Sequence, residues 1–268
     1  MKNFTTMILT KLKHLFGLYK SREISPDKST TSVVIAGVEQ SPKWGSCPGA
    51  MADCTNFSKV ISDAANNYDL TVLRNEQATV ANWKNAVAKA VQKPLAIIYY
   101  SGHGGSDPGH VLGKGKNEED GIDEFLCLYD KHLLDDEIWN LISKSTGRVF
   151  LIFDCCHSAT MFREDGNSIL NKLGKFIHFN FGKYDKTPKD ANQTGPSILC
   201  WSACADNTVA QGANSGGIFT TQIKRFFGIG LTYDALWKKL KDCKYLQNIE
   251  QIQITEIGKS FKSNLFCR

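Results

Sequence analysis

"VFLIFDCCHSAT", Val149 to Thr160, is an apolar run of strand length that stops abruptly at Asp154, Cys155, Cys156, His157 and Ser158. An uninterrupted apolar strand is one buried on both faces, as in a parallel sheet covered by helices. "PLAIIYYSGHGG", Pro94 to Gly105, has the same form: a buried strand that breaks into glycines around His103. In such sheets ligands bind beyond the carboxyl ends of the strands. Two strands therefore deliver an imidazole and a thiol to one edge.

Outward from these two strands the pattern alternates. "SVVIAGV" (Ser32 to Val38) and "DLTVLRN" (Asp69 to Asn75) read as strands, with the helical period of "MADCTNFSKVISDAAN" (Met51 to Asn66) between them. The spacing of Val80, Trp83, Val87 and Val91 predicts a helix over Thr79 to Val91 with Thr79 as its N-cap. "DDEIWNLISKS" (Asp135 to Ser145) predicts a short helix with acids in its first turn, where the helix dipole favours them. "SILCWSACA" (Ser197 to Ala205) is a further strand, and Phe219 to Phe227 and Thr232 to Asp242 are helices. Asn248 to Gly258 reads as a final edge strand. Alternating strands and helices predict an α/β fold with a mostly parallel central sheet covered on both faces.

The 268 residues are 42% hydrophobic and 22% charged, enough for a sizeable core in one large domain. The net charge of +5 is spread along the chain without a basic block, so no nucleic-acid partner is expected. Nine cysteines, an odd number with no C-x-x-C, fit neither a secreted disulfide framework nor a structural zinc site, and they favour a reducing, cytoplasmic setting. Residues 1–22 carry Phe4, Ile8, Leu12, Leu15 and Tyr19 at helical spacing among lysines. This reads as an amphipathic helix packed on the domain, with a membrane-surface or partner-binding arm as the competing interpretation. A linker runs from Glu23 to Ser32.

A thiol attacks a carbonyl as thiolate, and an imidazole beside it lowers its pKa and later protonates the leaving amine. His103 and Cys156 are that pair. Gly104 leaves room for a substrate carbonyl, and its N–H with that of Cys156 could form an oxyanion hole. Asp154, two residues before Cys156, falls on the same side of the strand.

At these residues the chain resembles the caspase-like cysteine peptidases, metacaspases in particular, over Ser32 to Phe227. "YYSGHGG" matches the family's histidine motif, "DCCHSA" its D-x-C-H-S-G cysteine motif, and "EEDGIDEFLCLYD" followed by "LLDDE" the acidic stretch between them. His103 also precedes Cys156 by about 50 residues, the caspase interval. The resemblance implies a caspase-like three-layer α/β/α sandwich. Large-subunit-like (32–165), linker (166–195) and small-subunit-like (196–268) regions would follow an N-terminal segment (1–31). It makes Cys156 the nucleophile and His103 the general base and acid, with Cys155 where the family has a small residue.

The same resemblance assigns a substrate pocket to Asp154, to Asp53 within "GAMADC" (Gly49 to Cys54), and to Ser101. Two carboxylates in one partly desolvated pocket imply cleavage of a protein or peptide substrate after Arg or Lys. Taken singly, Asp154 could cap a turn, Asp53 could be a solvated first-turn acid and Ser101 could satisfy local backbone. No cofactor is required for the chemistry, but many metacaspases are activated by calcium. Asp135 and Asp136, with Asp120 or Glu119, match part of that cluster, whereas Arg163 stands where another aspartate is expected. The competing interpretation makes Asp135 and Asp136 helix-terminal charges only.

Lys172, Lys175, Lys183, Lys186 and Lys189 in the segment Arg163 to Gly195, with Lys20 and Arg22, offer sites for autoprocessing; an unprocessed loop over the site is the alternative. "GGIFTTQI" (Gly216 to Ile223) resembles the family segment that shapes the substrate groove. The competing function is a catalytically silent caspase-like binding or regulatory module, which would not need both His103 and Cys156. A legumain-like or gingipain-like peptidase would keep the dyad and change the pocket.

Overall fold

The computed structural model describes residues 30–108, 122–157, 197–205, 215–227, 231–244, 246 and 250–257. The N-terminal amphipathic segment, the linker with its lysines, Asp120 and Arg163 lie outside them.

Six strands form the body of one sheet: β1 (Thr31–Gly37), β4 (Asp69–Arg74), β5 (Leu95–Pro108), β8 (Arg148–His157), β9 (Ser197–Ala205) and β10 (Glu250–Ile257), in the spatial order β10-β9-β8-β5-β1-β4. Every neighbouring pair is parallel except β10 with β9. The uninterrupted apolar runs occupy the centre, as burial on both faces requires. β4, at one edge, is largely exposed along its length.

The two faces of the sheet have separate cores. On one face Val34, Ile98, Leu151 and Ile198 pack with Trp83 and Val87 of α2 (Val80–Ala90) and with Ile138 and Ile142 of α3 (Asp135–Ile142). On the other, Ile35, Tyr99, Ile152 and Trp201 pack with Phe57 and Ile61 of α1 (Ala50–Ala64), Phe219 and Ile223 of α4 (Ile218–Phe226), and Leu236 and Leu240 of α5 (Tyr233–Lys241). This is the three-layer arrangement expected from the alternation of strands and helices. Thr79 caps α2 as its position predicts, its hydroxyl accepting from the Asn82 N–H, and Thr232 does the same for α5.

Two departures from the sequence expectation shape the edge that carries His103 and Cys156. β5 does not end at its glycines: it runs on to Pro108, and its tail pairs antiparallel with β6 (Ile122–Cys127), which pairs in turn with β7 (His132–Leu134). The acidic stretch that resembles the family's connecting segment is therefore partly sheet. In addition, the segment after β1 folds into a small hairpin of β2 (Gln40–Ser41) and β3 (Gly45–Ser46). Strands this short carry no periodicity for a sequence reading to detect.

Trp83 is fully buried between α2 and the sheet. Trp83→Ala should lower unfolding stability by about 3–5 kcal/mol in urea denaturation, as expected for a large aromatic removed from a packed core.

Candidate active site

The parallel pairing of β5 with β8 sets Ser101 opposite Asp154, Gly102 opposite Cys155, His103 opposite Cys156 and Gly104 opposite His157. Adjacent strands lie about 4.8 Å apart, so the motif histidine and the motif cysteine are backbone neighbours at the carboxyl ends of the two central strands. Side chains alternate along a strand, so Asp154 shares the side of Ile152 and Phe150, which pack against α1, α4 and α5. Cys155 takes the opposite side and is buried beside Phe153 in the other core, as a small apolar residue would be.

His103 is half-buried, and its Nε2 lies 3.0 Å from the Ser46 carbonyl of the β2–β3 hairpin. A carbonyl can only accept, so Nε2 carries the proton and Nδ1 keeps its lone pair. Nδ1 is buried and has no hydrogen-bond partner among the described residues. Burial lowers the imidazole pKa below its ordinary value, and the bond to Ser46 offsets this in part. The ring is accordingly neutral at physiological pH, the form able to accept a proton.

The hairpin that supplies Ser46 is held at several points. Trp44 is buried, its Nε1–H donating to the Leu128 carbonyl at 2.6 Å and its ring stacked on His132 at 4.3 Å. The Ser41 hydroxyl donates to the Tyr129 carbonyl, and the Gln40 amide donates to the Ser46 hydroxyl. On the other side of the histidine, the Tyr100 hydroxyl lies 2.8 Å from the His103 carbonyl and 2.7 Å from that of Cys127. Gly102 is required there, because a Cβ would come within 2.5 Å of that hydroxyl.

The three residues expected to form a pocket do come together. The Ser101 hydroxyl donates to Asp53 Oδ2 at 2.8 Å, and the Gly217 N–H donates to Asp53 Oδ1 at 2.6 Å. Asp154 Oδ2 accepts from both the hydroxyl and the N–H of Thr220, at 2.6 and 3.1 Å. Asp53 is 3% and Asp154 6% exposed. Asp53 is thus no solvated surface acid. Burial, with Asp154 nearby, pushes its pKa up to about 8 against the opposing bonds from Ser101 and Gly217. Burial likewise raises Asp154, while Thr220 pulls it down through two hydrogen bonds.

α4 therefore ends on the acid pair. Its N-cap Gly217 and its third residue Thr220 direct N–H groups at the two carboxylates, where the helix dipole favours negative charge. Gly216 has φ +100°, and a Cβ there would stand 2.3 Å from Asp53 Oδ1. Only glycine lets the backbone approach so closely.

Of the acids matched to a calcium cluster, Asp135 and Asp136 are among the described residues. Asp120 lies outside the described residues; Asp135 is fully buried at the start of α3, with Oδ1 accepting the Asp136 N–H, and Asp136 is half-buried. Glu137 reaches back to the Leu134 N–H and pairs with Lys84 of α2. Among the described residues no three His, Cys, Asp or Glu side chains gather as metal ligands.

Thr220, Gly217, Ser46, Trp44 and Tyr100 had no assigned part in the sequence expectation. "GGIFTTQI" flagged the segment of the first two without indicating that it touches the acids.

A family model described as the caspase domain matches residues 31–251. Among curated proteins, Metacaspase-1 of Emericella nidulans is 23% identical over 238 residues, covering 69% of this chain and 58% of that protein. Metacaspase-1B of Aspergillus fumigatus is 30% identical over 131 residues, covering 42% and 31%. The chain thus spans about 58% of the first relative's length and 31% of the second's. A crystal structure of a Geobacter sulfurreducens protein superposes with a TM-score of 0.60 at 24% identity, covering 87% of this chain and 97% of that one, and shares the fold. No helix among the described residues is long and apolar enough to cross a membrane.

Between the ordinary carboxylate value of 3.8 and about 8, the folded protein holds a proton on Asp53 that the unfolded chain has already released. Stability should then fall as pH rises through this window, by up to roughly 1.4 kcal/mol per pH unit for one proton. Melting curves from pH 5 to 8 should show that decline in the wild type and a flatter profile in Asp53→Asn.

Proposed function

The chain belongs to the caspase-domain family, and from that premise we propose that it is a cysteine endopeptidase cutting after Arg or Lys. The observation that carries the proposal is the β5–β8 register, which sets His103 beside Cys156 and Ser101 beside Asp154 on the same two strand ends.

The chemistry follows from those positions. His103 Nδ1 takes the proton of the Cys156 thiol, and the thiolate attacks the scissile carbonyl carbon. The oxygen becomes an oxyanion, held by the N–H groups of Gly104 and Cys156. As the C–N bond breaks, the His103 imidazolium gives its proton to the leaving amine, leaving a thioester on Cys156. Water, deprotonated by the same imidazole, attacks the thioester and releases the acid with regeneration of the thiol. The Ser46 carbonyl keeps the proton on Nε2 throughout and stabilises the imidazolium when it forms.

Specificity follows from the acid pair. A guanidinium or ammonium entering beside Asp53 and Asp154 draws both acids to their charged forms and pairs with them, whereas an aspartate would bring a further negative charge to a site where burial already disfavours one. Binding of the basic side chain displaces the proton that burial holds on Asp53. KM for an Arg peptide should therefore fall as pH rises toward about 8. Calcium, autoprocessing or a small-molecule signal would regulate the enzyme, and the chemistry itself requires no cofactor.

Wild type and Cys156→Ala, each with calcium and with chelator, should be assayed on fluorogenic peptides carrying Arg, Lys, Asp or Asn before the bond. Cleavage of the Arg and Lys peptides alone, abolished in Cys156→Ala, is expected. Equal cutting of Asp peptides would overturn the pocket assignment, and silence in every arm would favour a binding module. Trp44→Ala, which frees the hairpin bearing Ser46, should lower kcat on the order of tenfold or more while leaving KM nearly unchanged.

A further inference from the structure

Behind Asp154 stands a chain of hydroxyls from two other elements. Thr220 Oγ1 lies 2.6 Å from Asp154 Oδ2 and donates to it whenever Asp154 is a carboxylate, which can only accept. The one hydroxyl proton of Thr220 is then used, so the Tyr99 hydroxyl, 2.5 Å away, is the donor to Thr220 Oγ1. Tyr99 is fully buried on β5, its ring stacked on Phe57 of α1 at 4.3 Å. With Asp154 ionised, the order runs from Tyr99 O–H to Thr220 O–H to Asp154, and aligned hydroxyls polarise one another.

Thr220 also contributes its backbone N–H to Oδ2. Both bonds from α4 fall on that one oxygen and leave Oδ1 for a ligand cation. We propose that Thr220, polarised by Tyr99, is a positioning residue for substrate specificity: it orients Asp154 and favours its carboxylate form, so that the pocket can present a charged oxygen to Arg or Lys. This rests on the acidic-pocket reading above.

The environment makes such a device necessary. The groups that face the pair are Asp53 and Cys54 from α1, Ser101 and Tyr99 from β5, Thr220 from α4 and, further off, Glu39 after β1. All are acids, weak acids or neutral hydroxyls. Burial and the neighbouring carboxylate both favour a proton on the pair, and donation from Thr220 opposes this. Without it, Asp154 would hold its proton to higher pH and meet a basic side chain uncharged.

The test compares wild type with Thr220→Val, which keeps the β-branched shape and loses the hydroxyl, with Thr220→Ser, which restores it, and with Tyr99→Phe. The Tyr99→Phe change keeps the stack on Phe57 and removes only the outer donor. KM and kcat for an Arg peptide are measured from pH 5 to 9, and the Asp154 carboxyl is titrated by carbon-13 NMR in the same proteins without substrate. In Thr220→Val the Asp154 titration should move upward, and the acid limb of kcat/KM should move with it. A shift of one pH unit would raise KM on the order of tenfold near neutrality, with kcat little changed. Thr220→Ser should behave as wild type and Tyr99→Phe should fall between.

An unmoved Asp154 titration in both Thr220→Val and Tyr99→Phe would overturn the relay. So would a loss of kcat equal at every pH, which marks a merely structural role. If the wild type fails to cut Arg or Lys peptides while the titration shifts as stated, the acidic-pocket reading and its specificity consequence fall, and the charge relay to Asp154 stands alone.

Discussion

The parallel register of β5 against β8 is the constraint on which the rest of the site depends. It pairs His103 with Cys156 and, two residues earlier, Ser101 with Asp154. A slip of one residue would turn every side chain of a strand to the other face, exchanging the acid-bearing face for the apolar one. The slip is opposed by both cores at once, since Val149, Leu151 and Phe153 belong to one and Phe150 and Ile152 to the other. Hydrophobic packing over the length of β8 thus fixes the position of polar groups at its end. The chemistry inherits its geometry from residues that take no part in it.

The acid pair is the opposite case, a cluster the fold tolerates at a cost. Asp53 and Asp154 are buried side by side, and each is pushed toward its neutral form. The compensation is local: one hydroxyl and one N–H for each carboxylate, with both N–H groups taken from the start of α4. Buried acids that are left partly uncompensated favour whatever brings them a positive charge.

The body of the fold was legible because its signals are long. β8 and β9 are strands of ten and nine residues built on apolar runs, and α2 shows both its face and its cap in sequence. What escaped was short or distant. The hairpin of β2 and β3 has two-residue strands, and β5 runs through the glycines that should have stopped it because β6 is there to pair with its tail. Among the site residues, Asp53, Ser101 and Asp154 were named from motifs and meet in space. Their partners Gly217 and Thr220 lie 164 and 66 residues away along the chain, and no local pattern links a glycine or threonine to an acid so remote. The Ser46 carbonyl could not be named at all, since backbone acceptors leave no mark on sequence.

Those distant partners give the site its unity. Asp53 comes from α1, Ser101 and His103 from β5, Asp154 from β8, and the donors Gly217 and Thr220 from α4. The acids cap a helix, and the helix in turn offsets part of the cost of burying the acids; neither arrangement is favourable alone. A carboxylate removed from water without those N–H groups would shift further toward its neutral form, and a helix start pressed against an apolar surface would leave its first N–H groups unpaired. Docking of α4 and charging of the pocket are therefore one event. A change that loosens α4 from α1 should weaken the proposed selection for a basic side chain before it disturbs the β5–β8 register that pairs His103 with Cys156.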